Sequence, residues 1–228
     1  MTPALRALHT AEHVLMDFDG PICAVFAQVT DAEVANALRT SLAAHGHPVP
    51  RKLATTTDPF AILADVANAA ADMTRLIEAE LSHWERHAVI HAERTPGIAE
   101  VMRWIHESGR SVTVVSNNAA SAVRTYINTA GLTQYVTGIS AREPGDVGRL
   151  KPDPYLLNQA MAMQQTPPER CIMIGDSATD IDAATATSMP AIGYADTSDK
   201  VDALTDHTPH SVIRHMTELL PTDHELQH

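Results

Sequence analysis

The chain is short of aromatic residues, of lysine and of cysteine, and it has no hydrophobic run long enough to span a bilayer. Phe, Trp and Tyr make up 4% of its 228 residues, so the core must rest on Ala, Val, Leu, Ile and Met. Lysine occurs three times, at Lys52, Lys151 and Lys200, and the sixteen basic residues form no block against a formal net charge of −12. That balance excludes a general surface for nucleic-acid polymers or anionic membranes. The two cysteines, Cys23 and Cys171, lie far apart in apolar stretches, the pattern of reduced, buried thiols in a cytoplasmic protein. The opening MTPALRALHTAEH lacks the apolar centre of a signal peptide. Hydrophobic residues still reach 44%, enough for a core, and the length suits one substantial domain or one domain with an insertion.

What is present is a set of short apolar runs: HVLMDF from His13, SVTVVSN from Ser111, CIMIGD from Cys171 and a weaker MPAIGY from Met189. Helical patterns lie between them, among them PGIAEVMRWIHESG and PYLLNQAMAMQ. Strands alternating with helices predict a Rossmann-like α/β fold, a parallel sheet with helices on both faces. In such sheets ligands collect beyond the carboxyl ends of the strands. The first three runs end there in polar residues: Asp17 and Asp19, then Ser116 and Asn117, then Asp176.

Residues 23–95 differ in character. Rich in Ala, Leu and Glu and without a convincing strand, they predict helices over DAEVANALRTSLAAHG, DPFAILADVANAAADMTRLIEAEL and SHWERHAVIH. Thr57 or Asp58 is placed to cap the second, with Pro59 tolerated in its first turn. The expected organisation is therefore an α/β core of residues 1–22 and 96–228, with 23–95 inserted as a helical cap.

Asp17 and Asp19 in DFDG leave the same face of an extended chain, so they repel one another unless a cation lies between them or one of them reacts. Mg²⁺ takes oxygen ligands from a few carboxylates together with substrate phosphate and water. Asp176 and Asp180 in GDSATD, at another strand end, supply further carboxylates for the same ion. A carboxylate beside a bound phosphate is also a competent nucleophile, forming an aspartyl-phosphate that water then cleaves.

Taken in order, DFDG, VVSN, LKPDP and GDSATD resemble the four motifs of the haloacid dehalogenase-type phosphatases, and the long gap after the first motif is where that family inserts a cap. The resemblance implies Asp17 as nucleophile and Asp19 as general acid and base. It implies that Ser116, helped by the backbone amide of Asn117, binds the phosphoryl group, and that Lys151 neutralises phosphate and nucleophile. Asp176 and Asp180 would then hold or orient Mg²⁺ with the motif-one aspartates. The implied activity is hydrolysis of a small phosphorylated metabolite by a monomer or homodimer. A phosphomutase or phosphotransferase using the same site, and a catalytically silent binding protein, are the alternatives. Pro21 departs from the family's usual Thr or Val, and Asp19 argues against carbon–halogen cleavage. Asp180 also reads as a helix cap.

Two further groups stand out. Arg51, Lys52, Thr55, Thr56 and Thr57 fall in an interhelix loop and are the expected cap contacts, suited to a polar or anionic leaving group. His83, His87 and His91 recur at helical spacing, which makes a zinc site conceivable, but no recognisable ligand motif completes the set, and a solvated or partly buried helix face is the plainer reading.

Overall fold

A computed structural model describes residues 1–222. Its centre is a six-stranded, wholly parallel sheet in the order β5-β4-β1-β6-β7-β8. These strands are β1 (His13–Met16), β4 (Ser111–Ala119), β5 (Gly138–Arg142), β6 (Cys171–Gly175), β7 (Ala191–Tyr194) and β8 (Ser211–Ile213). The chain leaves β1 to build one side of the sheet through β4 and β5, then returns to β1's other edge with β6. The strand order thus reverses at β1, which opens a crevice at the carboxyl ends of β4, β1 and β6.

Both faces of the sheet are buried, because alternate residues of one strand feed different cores. Val14 and Met16 join Val112, Val114, Ile172 and Ile174 against α1 (Pro3–Thr10), α5 (Ile98–Glu107) and α6 (Ala120–Thr129). Leu15 joins Val115 and Met173 on the other face, against α7 (Tyr155–Gln164) and α8 (Ala178–Ala186). The two cysteines are buried free thiols, Cys23 just past β1 and Cys171 on β6. Among the described residues no helix is long and apolar enough to cross a membrane.

Between β1 and β4 the chain forms α2 (Asp31–Ala44), α3 (Pro59–Ala69) and α4 (Ala71–Ala88), with a cluster of their own around Val34, Leu38, Ile62, Leu63, Ile77 and Leu81. Thr30 and Glu33 form a capping box on α2, and Asp58 accepts the Phe60 N–H at 2.8 Å to start α3, with Pro59 in its first turn. The structure corrects the expected helix division. The stretch from Pro59 is not one helix, since Ala70 at φ −147°, ψ 75° breaks it, and α4 then runs unbroken through SHWERHA. An Ala-rich ANAAAD carries no Gly or Pro to announce that break. A two-residue antiparallel pair, β2 (Cys23–Ala24) with β3 (Glu93–Arg94), brackets this helical stretch and was not expected.

Candidate active site

The turn after β1 carries the first two aspartates. It is tied down by the Asp17 N–H donating to the Ile174 carbonyl at 2.8 Å, the Ile22 and Cys23 N–H groups donating to Phe18, and Gly20 donating to Cys23. Those bonds use residues on either side of Pro21, so the missing proline N–H removes none of them. Gly20 is required here: it sits at φ +93°, and a Cβ on it would meet the Asp176 carboxylate at 2.3 Å. The first and fourth motifs are thereby pressed together.

Lys151 links the rest. Its ammonium, buried with its residue 5% exposed, donates to Asp17 Oδ1 at 2.7 Å, to Asp180 Oδ1 at 2.5 Å and to the Val115 carbonyl at 3.1 Å. All three of its hydrogens are therefore engaged. Burial alone would lower its pKa, but the charges of Asp17 and Asp180 more than offset this and hold it above the ordinary lysine value. The backbone of Lys151 is fixed by the Asn117 amide, which accepts from Lys151 N at 2.8 Å and donates to Lys151 O at 3.1 Å. The buried Ser116 hydroxyl donates to Asn118 Oδ1 at 3.0 Å and accepts from Asn118 N at 3.1 Å.

Asp17, Asp176 and Asp180 each offer an oxygen within 4.8 Å of the other two, the one group of three among the described residues with metal-ligand spacing. Their electrostatics call for a cation. Burial, then the charge of Asp180, pushes Asp17 well above the usual carboxylate range against the pull of Lys151. Burial likewise raises Asp176 to about 6 although the Lys200 ammonium lies 2.7 Å from its Oδ2. Oxygen donors of this kind fit Mg²⁺. Asp19, expected as a further ligand, is not in this group: its Oδ1 accepts the Val25 N–H at 2.8 Å, and burial lifts it to about 6. Asp180 also accepts from Ser177 N and Oγ at 3.1 and 2.7 Å, so it starts α8 and meets Lys151 at once. The helix-cap reading of Asp180 is thus seen directly in its contacts with Ser177.

A cavity of 660 Å³ brings Asp17, Asp19, Ser116, Asn117, Lys151 and Asp176 together. Its opposite wall comes from α3: Phe60, Ala61, Ala64, Ala67 and Asn68, with Asp58 ahead of them. Arg51, Lys52 and Thr55 to Thr57 do not line it, which corrects the expected cap contacts. Lys52 instead pairs with Asp65, and Thr56 accepts from Arg39 through its carbonyl at 2.7 Å. Ile62, Leu63 and Val66 face the helical core, Phe60 and Ala67 pack at its edge, and Ala61, Ala64 and Asn68 are left on the other side of α3. His83 and His87 are exposed on α4 and His91 is exposed just beyond its end; they form edge contacts with Trp84 and one another, and among the described residues they belong to no group with ligand spacing.

Two charged residues near the site escaped sequence reasoning. Lys200 on α9 (Ser198–Thr205) bridges Asp176 and, at 3.3 Å, Asp196. Glu85 on α4, wholly buried, accepts from Arg142 at 2.5 Å, from Asn118 Nδ2 at 3.2 Å and from Ala119 N at 3.0 Å. Neither lies in a motif, and the only signal for Lys200 was its spacing of four from Asp196.

The model of the haloacid dehalogenase-like hydrolases matches residues 14–194, which hold the whole sheet up to β7 and all of these carboxylates. The chain belongs to that family. Among similar sequences, a phosphoglycolate phosphatase of Mesorhizobium japonicum is 26% identical over 153 residues, 65% of this chain and 64% of that protein. Phosphoglycolate phosphatase 1 of Pseudomonas aeruginosa is 26% identical over 139 residues, 60% of this chain and 50% of that one. The matches thus span between half and just under two thirds of these relatives' own lengths. Among solved structures of the haloacid dehalogenase-like fold, CbbY of Rhodobacter sphaeroides, in complex with phosphate, aligns with a TM-score of 0.66 at 18% identity, covering 92% of this chain and 96% of that one. A haloacid dehalogenase-like family protein of Streptococcus pneumoniae aligns with a TM-score of 0.66 at 16% identity, covering 93% and 98%.

Proposed function

We propose that this haloacid dehalogenase-like hydrolase is a Mg²⁺-dependent phosphomonoesterase acting on a small phosphorylated metabolite. The observation that carries the reading is the contact of Lys151 with Asp17 at 2.7 Å in a cavity that also holds Asp19, Ser116 and Asp176. Asp17, Asp176 and Asp180 would hold the ion. Bound there, Mg²⁺ would offset the repulsion between an anionic nucleophile and an anionic phosphate and stabilise charge at the phosphoryl oxygens.

The residues divide the remaining work. Lys151 holds Asp17 Oδ1, which leaves Oδ2 to attack phosphorus as the bond from phosphorus to the leaving oxygen breaks. Asp19, raised to about 6 by burial, is suited to deliver a proton to that leaving oxygen and then to take one from the water that attacks the aspartyl-phosphate. That second attack releases phosphate and restores Asp17. Ser116, 1% exposed, gives its one hydroxyl hydrogen to Asn118 Oδ1, and would hold a phosphoryl oxygen by turning that hydrogen to the phosphate. Residues 23–95 act as the cap, with α3 as the face that excludes water from the cavity.

The test is phosphate release from a panel of phosphomonoesters with Mg²⁺, with EDTA, and with Asp17→Asn. Release without an added acceptor, lost in EDTA and lost in the variant, is expected, and it separates hydrolysis from transfer. Turnover by Asp17→Asn within about tenfold of wild type removes Asp17 from the nucleophile's role.

A further inference from the structure

The charges around the cavity limit what can leave. Among the described residues four carboxylates line it (Asp17, Asp19, Asp58 and Asp176), and Lys151 is the sole basic residue that does. Lys151 is fully engaged by Asp17, Asp180 and a carbonyl, so among the described lining residues no cation remains for the part of the substrate beyond the phosphate. The basic residues around this wall, Lys52 bordering Ala61, Ala64 and Asn68 among them, are turned to other partners, and Arg149, between the lining residues Gly148 and Leu150, stacks over Tyr155. Lys52 pairs with Asp65, and Arg39 donates to the carbonyls of Leu53 and Thr56. Arg142, behind Phe60, is sealed against Glu85.

The wall that faces the leaving group therefore presents one aromatic ring, three alanines, the amide of Asn68 and the carboxylate of Asp58. Asp58 uses Oδ1 to cap α3, and Asn68 uses Nδ2 to bond the Ala64 carbonyl. An acceptor oxygen is left on each, and Asn68 keeps one amide hydrogen, so the one charged group on this wall is the Asp58 carboxylate. Acceptors receive hydroxyl or amide hydrogens, and they repel a carboxylate.

On the phosphatase reading above, we infer that the substrate is a phosphomonoester whose leaving group carries no second negative charge, an uncharged skeleton bearing hydroxyl or amide donors. A second carboxylate or phosphate would stand beside Asp58 with no counter-ion, since Lys151 and a divalent ion both act at the phosphoryl end. The same wall sets this chain apart from the substrate for which its phosphoglycolate phosphatase relatives are named.

The deciding comparison is 2-phosphoglycolate against its neutral isostere, carbamoylmethyl phosphate, in kcat/KM. The neutral ester should be preferred by at least about tenfold. Ala64→Arg places a cation on the wall and should move that ratio toward phosphoglycolate by about tenfold, and Asp58→Asn should move it the same way by less. Calorimetric binding of both compounds to Asp17→Asn protein with Mg²⁺ reads the discrimination without turnover. If neither ester is hydrolysed, the affinity ratio still decides this inference, and the phosphomonoester panel decides the phosphatase reading separately. Equal or better use of phosphoglycolate by the wild type, or a ratio that neither wall variant moves, overturns the inference.

Discussion

Lys151 and Arg142 are both buried cations held by carboxylates, the first from the loop before α7 with its ammonium on the Val115 carbonyl of β4 and the second at the end of neighbouring β5, yet they are built differently. Lys151 has each ammonium hydrogen satisfied and opens onto a cavity. Arg142, 2% exposed, donates through Nη2 to Glu85, while its Nε and Nη1 have no partner among the described residues. Its carboxylate comes from α4, and that same carboxylate holds Asn118 and Ala119, just past Ser116. One cluster gathers carboxylates where a phosphate can reach them. The other ties the helical layer to the strand end that presents Ser116. Buried ion pairs rarely stabilise more than a well-packed apolar substitute, so the value of the second lies in where it puts things.

Breaking the sealed pair should give the largest effect on folding. Glu85→Ala leaves the Arg142 guanidinium buried without its counter-ion, and such a change typically costs about 3–5 kcal/mol. Urea unfolding at pH 8 should show a loss of that order, and the double variant Glu85→Leu/Arg142→Met should recover most of it. A loss below about 1 kcal/mol would mean that water reaches the guanidinium freely, and the contrast between the two clusters would fail.

Lys151→Met should do the reverse, with a small effect on folding and a large one on rate. Asp17 and Asp180 lose their cation but can take up a proton or a divalent ion through the cavity, as Arg142 cannot. Losing one charge-stabilising contact at a transferring group removes about 3–4 kcal/mol of barrier lowering, a hundredfold to thousandfold in kcat. Comparing that kcat with the variant's urea midpoint separates the two consequences.

The sequence announces the lysine cluster far better than the arginine one, and the reason is physical. β1, β4 and β6 are buried on both faces and read as mainly apolar runs, with His13 and Thr113 bonded to each other inside them, so the polar residues that end them stand out. β5 reads GISAR: its glycine and its buried arginine interrupt the apolar pattern, and only the distant Glu85 makes that arginine tolerable. β8 is three residues at the sheet edge, too short for any period to show. The loop of Arg51 and Lys52 misled for a different cause. Charge in a loop says nothing about which way the loop faces, whereas the apolar stripe of α3 fixes its opposite face as the cavity wall.

The two clusters should also respond differently to pH and metal. Burial raises Asp19 and Asp176 to about 6 and Glu85 to about 7, above the roughly 4 of an unfolded carboxylate. Between those values the folded chain holds protons that the unfolded chain has released. The stability they contribute is therefore present at the acid end and lost as pH rises through 6 and 7. His13 opposes this: burial lowers it to about 4, so below its unfolded value near 6.5 it favours the unfolded state. Three raised acids, with Asp17 raised beside them, outweigh one lowered histidine. In EDTA the urea midpoint should be higher at pH 5.5 than at pH 8. Mg²⁺ should raise the midpoint at pH 8 and add little at pH 5.5, where it competes with protons for Asp17 and Asp176. Glu85→Gln should flatten part of the pH slope in EDTA and leave the Mg²⁺ gain at pH 8 in place, because Glu85 lies outside the three-carboxylate group. If Glu85→Gln removes the Mg²⁺ gain as well, the two clusters act as one.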